Sequence, residues 1–391
     1  MPINANHAGL EAYVIEQRRW HHAHPETGFD VQGTHDHILC ELEKLHLEAI
    51  PHVGRNSLIG IIRNGEGPVL GLRADIDALP LQEENDFPYR SQIDGRMHAC
   101  GHDAHTAMLL GAAKYLSENR GSWRGTVKLI FQEAEEGPHP GGAKGVVDSG
   151  LLDDVEAFYA LHVSPEYPTG TFAMKPGAAF ASVCTFKITL FGKGCHAASP
   201  HQGLDPIVMQ AEVVDMFHKI VSRKLSPLEP AVISITQVHG GTTHNIIPES
   251  VYLEGTVRVF AKETKSKIKS EMDAILTAVA TRHGGNYEFA YIEEYDTVTN
   301  TPDAVAYFQS VAAALFGPEA FRILDKPSMG GEDFFRYVNL SNRGCIAWIG
   351  TRKDEATARS LHNPHFAIDE SALIKGVSVL VELIKNYQRS V

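Results

Sequence analysis

Cysteine is scarce in this chain: five in 391 residues, at positions 40, 100, 184, 195 and 345. An odd number at scattered spacing suits a reducing compartment better than a disulfide framework, so a cytoplasmic location is expected. Long apolar runs are missing as well. None approaches about 18 residues, so no span of a membrane is expected. The opening "MPINANHAGL" has neither a basic nor an apolar segment and does not read as a secretory leader. Basic charge is in deficit: 35 Lys and Arg against 48 Asp and Glu give a net charge of −13. With no block of Lys or Arg either, nucleic acid and anionic membrane are poor partners. Internal repeats and low-complexity segments are also absent.

What is present reads as soluble and globular, with 43% hydrophobic and 21% charged residues and a length that allows two domains. Apolar runs at 57–63, 68–76, 126–132, 157–163 and 345–350 read as buried parallel strands. Helices accompany them. Residues 104–118 place Met108, Leu109, Ala112 and Leu116 on a 3.6-residue period, and 371–386 does the same with Leu373, Val377, Leu380 and Ile384. Strands alternating with helices predict an α/β domain with a largely parallel central sheet. The middle of the chain differs. Strands at 184–192, 230–238, 250–260 and 286–294, with helices at 205–223 and 264–282, follow the order βαββαβ, a ferredoxin-like α+β unit. The expectation is an inserted domain at 181–296, flanked by 1–180 and 297–391.

The polar clusters fall at the ends of the predicted strands, where open α/β sheets bind ligands. "RADID" (73–77) ends one strand, "FQEAEEG" (131–137) another, and "ALHV" a third with His162. "MHACGHDAHTAMLL" (97–110) collects Cys100, His102, Asp103 and His105 ahead of an apolar helix, and "LHNPHF" (361–366) follows the strand 345–350. Thiolate, imidazole and carboxylate together suit zinc, cobalt, nickel or manganese. Cys100, His102, Glu136, His162 and His362 make a set large enough for two ions. Neighbouring side chains on a non-helical segment point apart, so one of Glu135 and Glu136 can ligate while the other faces a bound water as general base.

At these positions the sequence resembles the M20 family of metallopeptidases, most closely its amidohydrolase branch of hippurate hydrolases, aminoacylase-like enzymes and auxin-conjugate hydrolases. The resemblance is carried by "HHAHPETGF" (21–29), "LRADIDALP" (72–80), "MHACGHDAHTAMLLGAA" (97–113), "FQEAEEG" with "GGA" (131–143), "GKGCHAASP" (192–200), "HNIIP" (244–248), "EGTVR" (254–258), "MGGEDF" (329–334) and "LHNPHF", in order over nearly the whole chain. It implies a zinc-peptidase-like catalytic domain with an inserted lid and dimerisation domain. It also implies two divalent cations on Cys100, His102, Glu136, His162 and His362, with Cys100 shared, and Glu135 as the base. His196 matches a lid histidine that polarises the scissile carbonyl, and Asn245 and Arg258 match positions that hold a substrate carboxylate. An imidazole N–H can donate to an oxyanion, and a guanidinium can fork onto a carboxylate. The implied reaction is hydrolysis of an N-acyl amino acid by a homodimer or larger oligomer. The chain departs from the family pattern at Glu133, usually Pro, at Cys195, usually Gly, and in an extra His139.

Other readings compete. Asp75 and Asp77 either cap a turn or orient a ligand histidine or the bound water. Asp103 is a candidate N-cap of the helix that follows. His98 and His105 read as structural or supporting, and His365 competes with His362. A dipeptidase or carboxypeptidase on the same scaffold is the enzymatic rival, and a non-catalytic binding protein the rival of another class.

Overall fold

The computed structural model describes residues 8–387. The first seven residues, most of the stretch read above for a leader, lie outside them. By its internal contacts the chain divides into two units: Met1–Ala179 with Thr299–Lys326 and Asp333–Val391, and Phe180–Val298 with Pro327–Glu332.

The elements run in chain order as follows. First come α1 (Ala8–Ala23), α2 (Gln32–Lys44), β1 (Glu48–Val53), β2 (Ser57–Asn64), β3 (Val69–Asp75), α3 (His102–Glu118), β4 (Gly125–Gln132), α4 (Gly142–Asp148), β5 (Ala157–Pro168), β6 (Phe172–Met174) and β7 (Gly177–Phe180). Next are β8 (Ser182–Phe191), β9 (Cys195–His196), α5 (Pro206–Lys224), β10 (Ala231–Gly240), β11 (Ile246–Ile247), β12 (Ser250–Val259), α6 (Lys262–His283) and β13 (Asn286–Tyr295). The chain closes with β14 (Val298–Asn300), α7 (Pro302–Phe316), β15 (Phe321–Ile323), α8 (Phe335–Ser341), β16 (Gly344–Arg352) and α9 (Leu373–Lys385).

The first unit is built on an eight-stranded sheet in the order β1-β2-β4-β3-β5-β16-β6-β15. β4–β3, β3–β5, β5–β16 and β6–β15 are parallel. β1–β2, β2–β4 and β16–β6 are antiparallel. The run at 57–63, read from sequence as a parallel strand, is thus antiparallel to both neighbours. Only three residues join β1 to β2, and so short a turn can only reverse the chain. Burial hides this from the sequence, because a strand covered on both faces is apolar throughout whatever its direction.

The helix at 104–118 also departs from expectation. It begins at His102, and every residue from His102 to Ala113 is buried, so it has no exposed face over that span. α1 and α9 pack against it beside the sheet. Close approach is possible because Gly376 of α9 has no side chain: a Cβ there would lie 2.1 Å from Met108 Sδ. The α9 stripe Leu373, Val377, Leu380 and Ile384 is buried, each contributing about 1.5–3 kcal/mol by leaving water.

In the second unit β10, β12, β8 and β13 form an antiparallel sheet in that order. Burial alternates along β12, so one face is covered and the other open. α5 and α6 pack against these strands over one core that includes Phe186, Leu253, Phe217 and Leu276. Asp205 starts α5 by accepting the Ile207 N–H at 2.9 Å, with Pro206 in the first turn. Among the described residues no helix is long and apolar enough to cross a membrane.

Candidate active site

Three parallel strands of the first unit meet at one rim. β3 finishes at Asp75 and β4 at Gln132, tied by the Ile76 N–H donating to Gln132 O at 2.8 Å, while β5 carries His162 beside them. Beyond β4 the chain bends at Ala134, whose φ of 52° is left-handed. Such a conformation in a residue with a Cβ costs about 1–2 kcal/mol and persists only where its surroundings hold it. What holds it here is Asp77: its two oxygens accept the backbone N–H of Glu135 at 3.0 Å and of Glu136 at 3.1 Å. The Asp77 carbonyl accepts His102 Nδ1 at 2.7 Å. One residue thereby positions both glutamates and one imidazole.

Cys100 and His102 flank Gly101, whose φ is 86°; a Cβ there would lie 2.2 Å from Val163 Cγ2. Glycine is required on both counts. His362 has a φ of 61°, its N–H donates to Ala99 O at 2.8 Å, and its Nε2 lies 3.0 Å from Glu136 Oε1. His365 instead meets exposed Glu84 at 3.1 Å.

The ligand atoms gather into overlapping groups: Cys100 with His102 and His162, Cys100 with Glu136 and His362, and His102 with Glu135 and Glu136. Within each group all atoms lie within 4.8 Å of one another, and Cys100 belongs to the first two. Its Sγ is 3.6 Å from His162 Nε2. His162 Nδ1 donates to Val163 O at 2.8 Å, and burial first, then His105, keeps the ring neutral, so Nε2 holds a lone pair. Burial opposes protonation of His102, but Asp75, Asp77 and Glu136 outweigh it and push the group up to about 10. Burial, with Glu136, Glu135 and Asp75, drives the Cys100 thiol well above its usual range. His102 Nε2 is buried without a hydrogen bond. The pocket is thus short of positive charge and holds a buried imidazole nitrogen with nothing to bind. A divalent cation on sulfur, imidazole and carboxylate fits both features.

His196, Asn245 and Arg258 belong to the second unit. β9 and β11 pair His196 with Ile246, and the Ala197 N–H donates to Asn245 O at 3.0 Å, so His196 and Asn245 sit together. The Ala198 N–H donates to His196 Nδ1 at 3.0 Å, which leaves the ring proton on exposed Nε2. Arg258 is elsewhere. The Gly192 N–H bonds Glu249 O where β8 meets the start of β12, whereas Arg258 pairs with Val183 at the other end. Eight residues of strand, roughly 27 Å at about 3.4 Å each, separate Ser250 from Arg258.

One sequence reading needs correction and two gaps need filling. Asp103 is not an N-cap. It lies inside the first turn of α3, where its Oδ2 takes Arg18 Nε and His22 Nδ1, each at 2.8 Å. Glu133 is a clamp: its oxygens accept the backbone N–H of Arg55 at 3.0 Å and of Asn56 at 2.8 Å. Arg73 was passed over. It is buried, with Nη1 on Asp75 at 2.7 Å, Nη2 on Asp333 at 2.8 Å and Nε on Gln132 at 3.0 Å. A cation inside the apolar run "VLGLRADI" signals a buried partner, though not which one.

A family model described as Peptidase family M20/M25/M40 matches residues 71–386. The chain is similar to an N-acetylcysteine deacetylase of Bacillus subtilis, 38% identical over 95% of each chain. It is also similar to a thermostable carboxypeptidase 1 of Saccharolobus solfataricus, 34% identical over 94% of this chain and 93% of that one. Among solved structures it is similar to the Bacillus subtilis YXEP protein, a dinuclear metal binding peptidase from the M20 family. That match has a TM-score of 0.83 at 34% identity over 96% of this chain and 98% of the other. The chain therefore belongs to peptidase family M20/M25/M40, in its amidohydrolase branch, and is a metal-dependent hydrolase.

Proposed function

We propose that the enzyme hydrolyses the amide bond of N-acyl amino acids, such as acetyl or benzoyl derivatives, to a carboxylic acid and a free amino acid. The observation that carries this is the pair of donor groups that share Cys100, together with a further carboxylate, Glu135, one residue before the ligand Glu136. Cys100, His102, Glu136, His162 and His362 would hold two divalent cations of the zinc, manganese, cobalt or nickel type. When bound, such cations polarise an amide carbonyl and make water a nucleophile near neutral pH.

Glu135 takes the proton of the attacking water and returns it to the leaving amine. Asp77 holds the peptide of that glutamate in place, and Asp75 supports the imidazoles behind it. His196 presents Nε2–H, the donor an oxyanion needs, because the Ala198 N–H occupies its other nitrogen. Arg258 and Asn245 bind the carboxylate of the amino acid. The distance along β12 between Arg258 and the His196–Asn245 end supports a homodimer in which a second copy lends His196 and Asn245, with closure of the inserted domain completing the site. Free cysteines at all five positions are in keeping with a cytoplasmic enzyme.

The carboxypeptidase relative makes peptide cleavage the second reading. Chelated and re-metallated protein, assayed side by side on N-acetyl amino acids, N-benzoyl amino acids and free-amine dipeptides, separates the two. Turnover of the N-acyl compounds is expected to be lost on chelation and regained with metal. A preference for dipeptides overturns the N-acyl assignment.

A further inference from the structure

The ligand atoms of His105 lie within 4.8 Å of those of Asp75 and His102, as though a further cation could sit there. The hydrogen bonds say otherwise. His105 Nε2 accepts the Val163 N–H at 2.9 Å, and since a backbone N–H can only donate, that nitrogen holds the lone pair. Nδ1 therefore carries the proton and gives it to Asp75 Oδ1 at 2.5 Å. Both nitrogens are in use, so none is left for a metal. Asp75 is engaged on both oxygens, with Oδ2 on Arg73. Arg73 is pinned in turn by Asp333 and Gln132, and every member of this chain of contacts is buried.

The far end of the chain of contacts is Val163. β3 pairs with β5 only as far as Arg73 and Ala160, so β5 runs on without that neighbour. There the two main-chain groups of Val163 are both taken by imidazoles: its N–H by His105 and its carbonyl by His162 Nδ1. The His105 and His162 rings also meet at 4.6 Å, 65° apart.

We propose that His105 is a positioning residue: a strut, anchored through Asp75, Arg73 and Asp333, that fixes the peptide after His162 and so aims His162 Nε2 at the Cys100 sulfur. This rests on His162 holding a cation, as proposed above. It assigns His105 no ligand role. Loss of a group that orients a ligand histidine typically lowers metal affinity 10–100-fold.

The test is cobalt binding to metal-stripped, full-length protein. Stoichiometry comes from equilibrium dialysis, and the thiolate-to-cobalt absorption reports Cys100. His105→Phe keeps the ring and removes both hydrogen bonds; His105→Gln keeps an acceptor for the Val163 N–H. Wild type is expected to take two equivalents. His105→Phe should keep one at unchanged affinity and hold the other about 10–100-fold more weakly, with His105→Gln in between. If His105→Phe does not fold, the selective loss must appear in His105→Gln. Two cobalt sites of wild-type affinity in both variants overturn the strut and leave the dinuclear site standing. Equal weakening of both sites also overturns it, because that is what general loosening produces. Fewer than two equivalents in wild type removes the dinuclear site itself, and the strut with it.

Discussion

Glu135 and Glu136 are chemically identical and adjacent, yet the proposed mechanism gives them different work. The left-handed turn at Ala134 and the two bonds to Asp77 hold their peptides. Glu135→Gln preserves shape and removes the proposed base. Turnover should fall about 10²–10⁴-fold while both cations stay bound, measured by steady-state kinetics beside metal analysis. An unchanged rate would remove Glu135 as the base. At this scale the sequence was informative wherever a residue type has few uses. A cysteine two positions from a histidine, and paired glutamates after a strand, announce themselves. His105 does not, because the same residue serves as ligand or strut and only its partners tell which. Arg73 announced a buried partner, but Asp333 lies 260 positions away.

At the scale of elements, α1 and α3 are joined by charge as well as by packing. Burial works against the Asp103 carboxylate, but Arg18 and His22 hold it well below the usual range. A depressed carboxylate contributes stability above its unfolded value of about 3.9, and the contribution is lost as pH falls towards the folded value. Asp103→Asn leaves Arg18 buried without its main partner and should cost about 3–5 kcal/mol at pH 7. Denaturant unfolding of the metal-free protein should show that deficit in full at pH 7 and a shrinking one below about pH 4. A deficit independent of pH would mean that packing, not charge, joins the helices. Element positions were largely legible, because the 3.6- and 2-residue periods follow from which faces are buried. Direction in the sheet was not. The run at 57–63 looks like its parallel neighbours, and only the short turn before it reverses it.

Across the whole molecule, the separation of Arg258 from His196 and Asn245 within one unit makes the active oligomer testable. Chains carrying Glu135→Gln and chains carrying His196→Ala should each be nearly inactive. Co-refolded, they should recover up to about a quarter of wild-type activity, since half of randomly paired dimers are mixed and each has one intact site. Mixed dimers that form without recovering activity would place His196 in its own chain's site.

The order of elements, the βαββαβ segment and the residue types of the proposed donor set could be read from the sequence alone, because burial periodicity and ligand chemistry are local properties that a string of residues carries. Which histidine is held as a strut, which aspartate grips the glutamate peptides and which strand runs backwards were decided only by the tertiary structure. Each of these depends on a partner brought close by folding, and hydrogen bonds a few ångströms long leave no mark on residues far apart in the chain.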